Sequence, residues 1–67
     1  MQRIVLNGAP REVPANVRLA TLLSDLGLDA RAIAVARNGD VVPRATYPDV
    51  ALADGDAIEI VHFVGGG

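Results

Sequence analysis

AIEIVHFV, residues 57–64, is the longest strand-like run in the chain, and its placement decides the fold. Ile58 and Ile60 fall on one face while Ala57, Glu59, Val61 and Phe63 fall on the other, the period-two pattern of a strand with one buried side. A strand this long and apolar at a sheet edge would invite pairing with another chain, so it is expected in the middle. The turn ADGD (Ala53 to Asp56) leads into it, and three glycines follow it.

The remaining elements are read outward from that strand. QRIVLN (Gln2 to Asn7) alternates, with Ile4 and Leu6 on one face and Arg3 and Val5 on the other. Asn7-Gly8 tolerates the positive φ of a tight hairpin turn, and Arg11–Val13 resumes as a second strand between Pro10 and Pro14. Leu19, Leu22, Leu23 and Leu26 fall at i, i+3, i+4 and i+7, which predicts a helix over 17–26. Asn16 is the nearest candidate N-cap, with Arg18 as an alternative boundary, and Gly27 sits where a left-handed residue would stop the helix. AIAVAR (Ala32 to Arg37) is a third strand with Ile33 and Val35 inward and alanines outward. Asn38-Gly39-Asp40 signals another hairpin, and VVPR (Val41 to Arg44) a short fourth strand whose Pro43 marks an edge. Tyr47-Pro48-Asp49 reads as an irregular or 3₁₀ connection. The order ββαββ plus a final strand predicts an α+β fold: a mixed sheet of about five strands, covered on one face by a single helix, with the last strand beside the first.

Composition narrows the function classes. Sixty-seven residues form one domain, with residues 1–64 as its body and 65–67 as a flexible glycine tail. Hydrophobic residues make up 51% while Phe and Tyr occur once each and Trp not at all, so an aliphatic core is expected. Six singly spaced arginines and a net charge of −2 give no basic patch for a nucleic acid. Cysteine is absent and His62 is the single histidine, which leaves no thiol chemistry and no His/Cys zinc site. No run approaches the ~20 apolar residues that span a bilayer, so no membrane partner is expected and a cytoplasmic location is. The chain also has no lysine, since all six of its basic residues are arginines; it cannot accept an isopeptide bond on a side chain.

Several candidate groups have ordinary structural roles. Asp40, Asp54 and Asp56 lie in turns, where carboxylates cap backbone donors, and they are set aside as catalytic groups. His62 has no second ligand or nucleophile beside it in sequence, and no GxGxxG or GxxxxGKS phosphate loop is present. No catalytic residue and no metal site is assigned. On the outer face Val5, Val61 and Phe63 are candidates for a partner-docking patch. The tail carries the remaining chemistry. Three glycines reach at most ~10 Å beyond Val64 and, lacking Cβ atoms, fit a channel too narrow for other residues. They would present the carboxylate of Gly67, which is ionised at neutral pH and a poor electrophile until activated. Transfer of AMP from ATP would create a mixed anhydride that a sulfur nucleophile could open to a thiocarboxylate.

IVLNG (Ile4 to Gly8), LLSDLGL (Leu22 to Leu28), AVARNGDVVPR (Ala34 to Arg44), LADGDAIEIV (Leu52 to Val61) and the closing GGG together resemble the ThiS family of sulfur carriers. The resemblance covers nearly the whole chain. It implies a β-grasp, the ubiquitin-like architecture. It further implies that an E1-like enzyme, ThiF, adenylates Gly67 with ATP, that a persulfide donor protein supplies sulfur, and that thiazole synthase, ThiG, receives it. In that reading Gly65 and Gly66 thread the partner's active site, the chain binds no cofactor of its own, and it is a carrier rather than an enzyme. Arg18 stands where such carriers commonly have Thr at the helix start. Related alternatives are a MoaD-like carrier for molybdopterin, a carrier for cysteine or tRNA thiolation, a ubiquitin-like protein modifier, and a plain interaction module.

Overall fold

Two Asn-Gly turns organise the sheet. Asn7 and Gly8 have φ of 49° and 83°, and Asn38 and Gly39 have 50° and 87°. Positive φ at both central residues is what a type I′ hairpin requires. In the computed structural model, which describes residues 1–63, the first turn joins β1 (Gln2–Leu6) to β2 (Ala9–Val13) and the second joins β3 (Ile33–Arg37) to β4 (Asp40–Val41). The final strand β5 (Ala57–His62) runs between the two hairpins, and the sheet order is β2-β1-β5-β3-β4. β5 is parallel to β1 and antiparallel to β3. The expected mixed five-stranded sheet with a central last strand is therefore present.

Element boundaries differ from the sequence expectations for local reasons. β2 begins at Ala9 rather than Arg11 and includes Pro10, which lies opposite Val5. Val5 donates its N–H to Asp56 O at 2.9 Å, so its backbone groups point toward β5. The antiparallel partner opposite such a residue needs no donor, and Pro10 is tolerated there on the edge strand. β4 stops at Val41, because Pro43 (φ −62°, ψ 135°) starts a 3₁₀ turn over Arg44–Thr46. A 3₁₀ turn at Ala30–Ala32, capped by the Asp29 side chain, displaces the start of β3 to Ile33. β5 ends at His62, and Phe63 N–H still donates to Ala32 O at 2.9 Å; Val64 lies outside the described residues.

The helix α1 (Leu19–Asp25) is shorter than the 17–26 expected. Asn16 is not its N-cap: Asn16 has φ 61° and belongs to the preceding turn, while Arg18 occupies the N-cap position without a side-chain cap hydrogen bond. The first amides are satisfied from elsewhere, Leu19 N–H by Val50 O at 2.8 Å and Ala20 N–H by Tyr47 O at 3.1 Å. These tertiary partners do what a cap side chain does in other helices. At the other end Gly27 (φ 73°) donates to Ser24 O and Leu28 to Leu23 O. That pair of bonds is a Schellman motif, with Gly27 at C′ as the sequence predicts.

α1 presses Leu19, Leu22 and Leu23 onto Ile4, Ile33, Val35, Ile58 and Ile60 of the inner sheet face. Leu26 is only partly buried against this core. Val13, Tyr47 and Leu52 complete the core, so it is not purely aliphatic. The 47–52 segment is held by Leu52 N–H to Val17 O at 2.9 Å and by the bridge between Arg18 and Ala51. It closes the end of the helix layer.

Candidate functional site

β5 delivers the chain to its C-terminal glycines, so what fixes β5 fixes the root of the tail. Only two residue pairs connect β5 to β1, Val5↔Ala57 and Leu6↔Ile58. Asn7 extends that ladder. Its backbone N–H reaches Ile58 O at 2.8 Å, while its side-chain Oδ1 accepts from Ile60 N–H at 2.7 Å and its Nδ2 donates to Ile60 O at 3.3 Å. A primary amide offers one acceptor and donors on neighbouring atoms, so Asn7 serves Ile60 as the next peptide group of a strand would.

The start of β5 is gripped from the other side by Asn38. Its N–H donates to Ala57 O at 2.8 Å, its Oδ1 accepts from Ala57 N–H at 2.9 Å, and its Nδ2 donates to Asp56 Oδ1 at 3.1 Å. Asp56 is buried and also accepts from Ala53 N–H and Arg37 Nε, both at 2.8 Å. Burial by itself raises the Asp56 carboxyl, but the hydrogen bonds from Ala53 and Asn38 and the Arg37 guanidinium outweigh it and hold the pKa below the ordinary 3.8. Asp54 accepts from Arg3 N–H at 2.8 Å. The turn carboxylates are thus fasteners of β5, in line with the structural reading of ADGD; Asp40 begins the edge strand β4.

Beyond Ile60 the strand leaves β1 behind and is paired only with β3, through Val61↔Ala34 and His62↔Ile33. His62 is exposed at this end. Among the described residues no group of three or more His, Cys, Asp or Glu side chains is placed to hold a metal. Gly65, Gly66 and Gly67, the expected threading and attachment residues, lie outside the described residues.

Val5, Val61 and Phe63 are all exposed, by 38%, 58% and 54%. The structure keeps Val61 and Phe63 together at the tail root but sets Val5 beside Ala57, four residues away along β5. At ~3.3 Å per residue that is about 13 Å. The intervening outer surface holds Glu59, with Ala36 opposite it and Ala34 opposite Val61. Val41, opposite Ala36 on β4, is 79% exposed and lies on the same face. Val41 was absent from the sequence-derived patch. Counting alternation back from the Asn38-Gly39 turn pairs it with Ala36, and that signal would have found it.

A single helix packed across a mixed five-stranded sheet, with a parallel first and last strand and glycines after the last, invites comparison with known proteins. The ThiS family model matches residues 4–67. The chain belongs to the ThiS family. The crystal structure of the thiamine biosynthesis protein ThiS from Geobacter metallireducens superposes with a TM-score of 0.83 at 35% identity, covering 98% of this chain and all of that one. The β-grasp architecture is thereby shown. The sulfur carrier protein ThiS of Bacillus subtilis is 46% identical over 46 residues, covering 69% of this chain and 70% of its own length. The ThiS of Thermus thermophilus is 34% identical over 62 residues, covering 92% and 95%. A thiazole synthase of Paramagnetospirillum magneticum is 46% identical over 65 residues, 97% of this chain. The chain spans only 20% of that synthase's length, and the same share of a thiazole synthase from Magnetococcus marinus. A ThiS-like unit is therefore found both in short carriers and inside much longer synthases. No helix of the described residues is long and apolar enough to cross a membrane.

Proposed function

We propose that this chain is a sulfur carrier of thiamin biosynthesis that works through the carboxylate of Gly67. The observation that carries the reading is that the family match extends through the glycine run to residue 67, in a chain whose last strand before that run is anchored on both sides. An E1-like adenylating enzyme joins the Gly67 carboxylate to AMP from ATP, releasing pyrophosphate. The terminal sulfur of a persulfide donor displaces AMP, and a thiol reduces the resulting acyl disulfide to the thiocarboxylate. Thiazole synthase takes the sulfur from it, and the carboxylate is regenerated. ATP is a substrate of the partner, not a ligand of this fold.

The chain's own residues hold and present. Asn7, Asn38 and Asp56 fasten β5, so that the glycines leave from a fixed point and direction. Val61 and Phe63, beside that point, give a partner enzyme an apolar foothold at the mouth of its active-site channel. Glycine's lack of a side chain suits the last residues to a narrow channel.

The test is intact-mass spectrometry after incubation with the adenylating enzyme, ATP and a persulfide source. The expected shift is the exchange of one oxygen for one sulfur at the C-terminus; an unchanged mass, with an established ThiS converted in the same reaction, overturns the reading. Removal of Gly66 and Gly67 is expected to abolish conversion and leave the melting temperature in place.

A further inference from the structure

The outer face of the sheet is apolar except for three charged residues, Arg3, Glu12 and Glu59. At one corner Arg3 and Glu12 pair with each other at 3.3 Å. Glu59 is different: it is exposed near the middle of the face, and among the described residues it has no ion-pair partner. Its surroundings follow from the register. Ala36 is directly opposite, Val41 is one strand further on, and Val61 is two residues along β5 on the same side. Ala57, two residues the other way, carries Val5 beside it. On the remaining side, β1 continues past Leu6 to Asn7, whose amide is taken up by the Ile60 backbone. A carboxylate with small and aliphatic neighbours on its other sides costs nothing while it faces water. When another protein covers the apolar surface, the same carboxylate loses its hydration, and that cost must be met by a cation or by several donors.

We infer that Glu59 is the specificity-determining residue of this face, and that the face docks on a thiazole synthase surface of matching chemistry: apolar side chains surrounding one arginine or lysine that pairs with Glu59. The occupant is chosen by the thiazole synthases that contain a segment 46% and 48% identical to nearly all of this chain. In such proteins carrier-like unit and synthase are held at high effective concentration by covalent linkage. The inference rests on the sulfur-carrier reading, which supplies the reason for the two to meet. It adds what that reading lacks, a charged residue by which the synthase distinguishes this surface from any other apolar one.

The experiment measures binding of the thiazole synthase from the source organism to wild-type carrier, Glu59→Gln and Glu59→Lys by isothermal titration calorimetry at low and high salt. Thermal melts establish that each variant is folded, which is expected because Glu59 points away from the core. Glu59→Gln keeps shape and removes charge; it should weaken binding about 10-fold and flatten the salt dependence. Glu59→Lys sets like charges against each other and should weaken it by about 30-fold or more. Binding of folded Glu59→Lys within twofold of wild type overturns the inference, as does a wild-type carrier that acquires sulfur but does not bind the synthase. A wild-type chain that neither acquires sulfur nor binds removes the carrier reading itself.

Discussion

The same strands build two surfaces with opposite demands. On the inner face Ile4, Ile33, Val35 and Ile58 are almost wholly buried under α1. One residue along each strand, Val5, Ala34, Ala36 and Glu59 look outward, and the large apolar side chains there remain open to water. Strand alternation alone separates the two, since neighbours in sequence point to opposite sides of the sheet. In a chain of 67 residues, where the buried share of the surface is small, this arrangement gives the core and the proposed docking surface different side chains. A substitution on one face should be felt as stability, and on the other as binding.

The largest expected effect is on the inner face. Ile58→Ala removes buried methyl groups from the middle of the central strand and should cost about 2–5 kcal/mol. Against the total of ~5–15 kcal/mol typical of small domains, urea denaturation should show a strongly lowered midpoint or a mostly unfolded chain. A shift below 0.5 kcal/mol would mean that the core repacks around the gap.

The next effect concerns the fasteners at the ends of β5. Asp56→Asn removes a buried charge paired with Arg37 and should cost about 2 kcal/mol, since Arg37 is itself partly open to water. It should also change the pH dependence. The folded Asp56 carboxyl lies below its ordinary 3.8, so its contribution is complete above that pH and is lost as pH falls from about 4 through the lowered folded value. Melting temperatures measured from pH 6 down to pH 2 should therefore fall less steeply in Asp56→Asn than in the wild type; parallel curves would assign the acid sensitivity to other carboxylates. Asn7→Ala leaves Ile60 N–H and O without their side-chain partner and loses an amide suited to positive φ, for about 1–2 kcal/mol. Asn7→Gly, which keeps the turn conformation, isolates the part due to the bonds with Ile60.

The smallest effect on stability, and the one that sharpens the comparison most, is on the outer face. Phe63→Asp should change the folding free energy by no more than about 0.5 kcal/mol, because surface substitutions rarely exceed that. In the same protein, binding to the adenylating enzyme or to thiazole synthase should weaken measurably by titration calorimetry. Equal affinity would remove Phe63 from the docking surface.

Much of this separation was legible from residue order. Alternation in Gln2–Leu6, Ile33–Arg37 and Ala57–His62 set the inner and outer faces, the Asn-Gly pairs set both hairpins, and the leucine spacing set α1 with Gly27 as its stop. These are local rules: a strand's period, a turn's φ angles and a helix's stripe each depend on residues a few positions apart. The glycine run and the order of motifs likewise pointed to the family that the comparisons show.

What the sequence left hidden depends on residues far apart in the chain. Asn16 looked like a helix cap, but the amides of Leu19 and Ala20 are met by Val50 and Tyr47, about thirty positions on, and no local pattern announces such a partner. Tyr47 looked like part of an irregular connection and is core, because the bridge between Arg18 and Ala51 folds its segment over the end of the helix layer. Asn7 was readable as a turn residue but not as the amide that continues the ladder to Ile60, fifty-three positions away. The sequence by itself determined the elements, their faces and the family. Only the tertiary structure decided how β5 is anchored and that Glu59 stands among Val5, Val41 and Val61 with no ion-pair partner among the described residues, because both follow from which strands lie side by side, and strand adjacency is a property of the closed sheet rather than of any one strand.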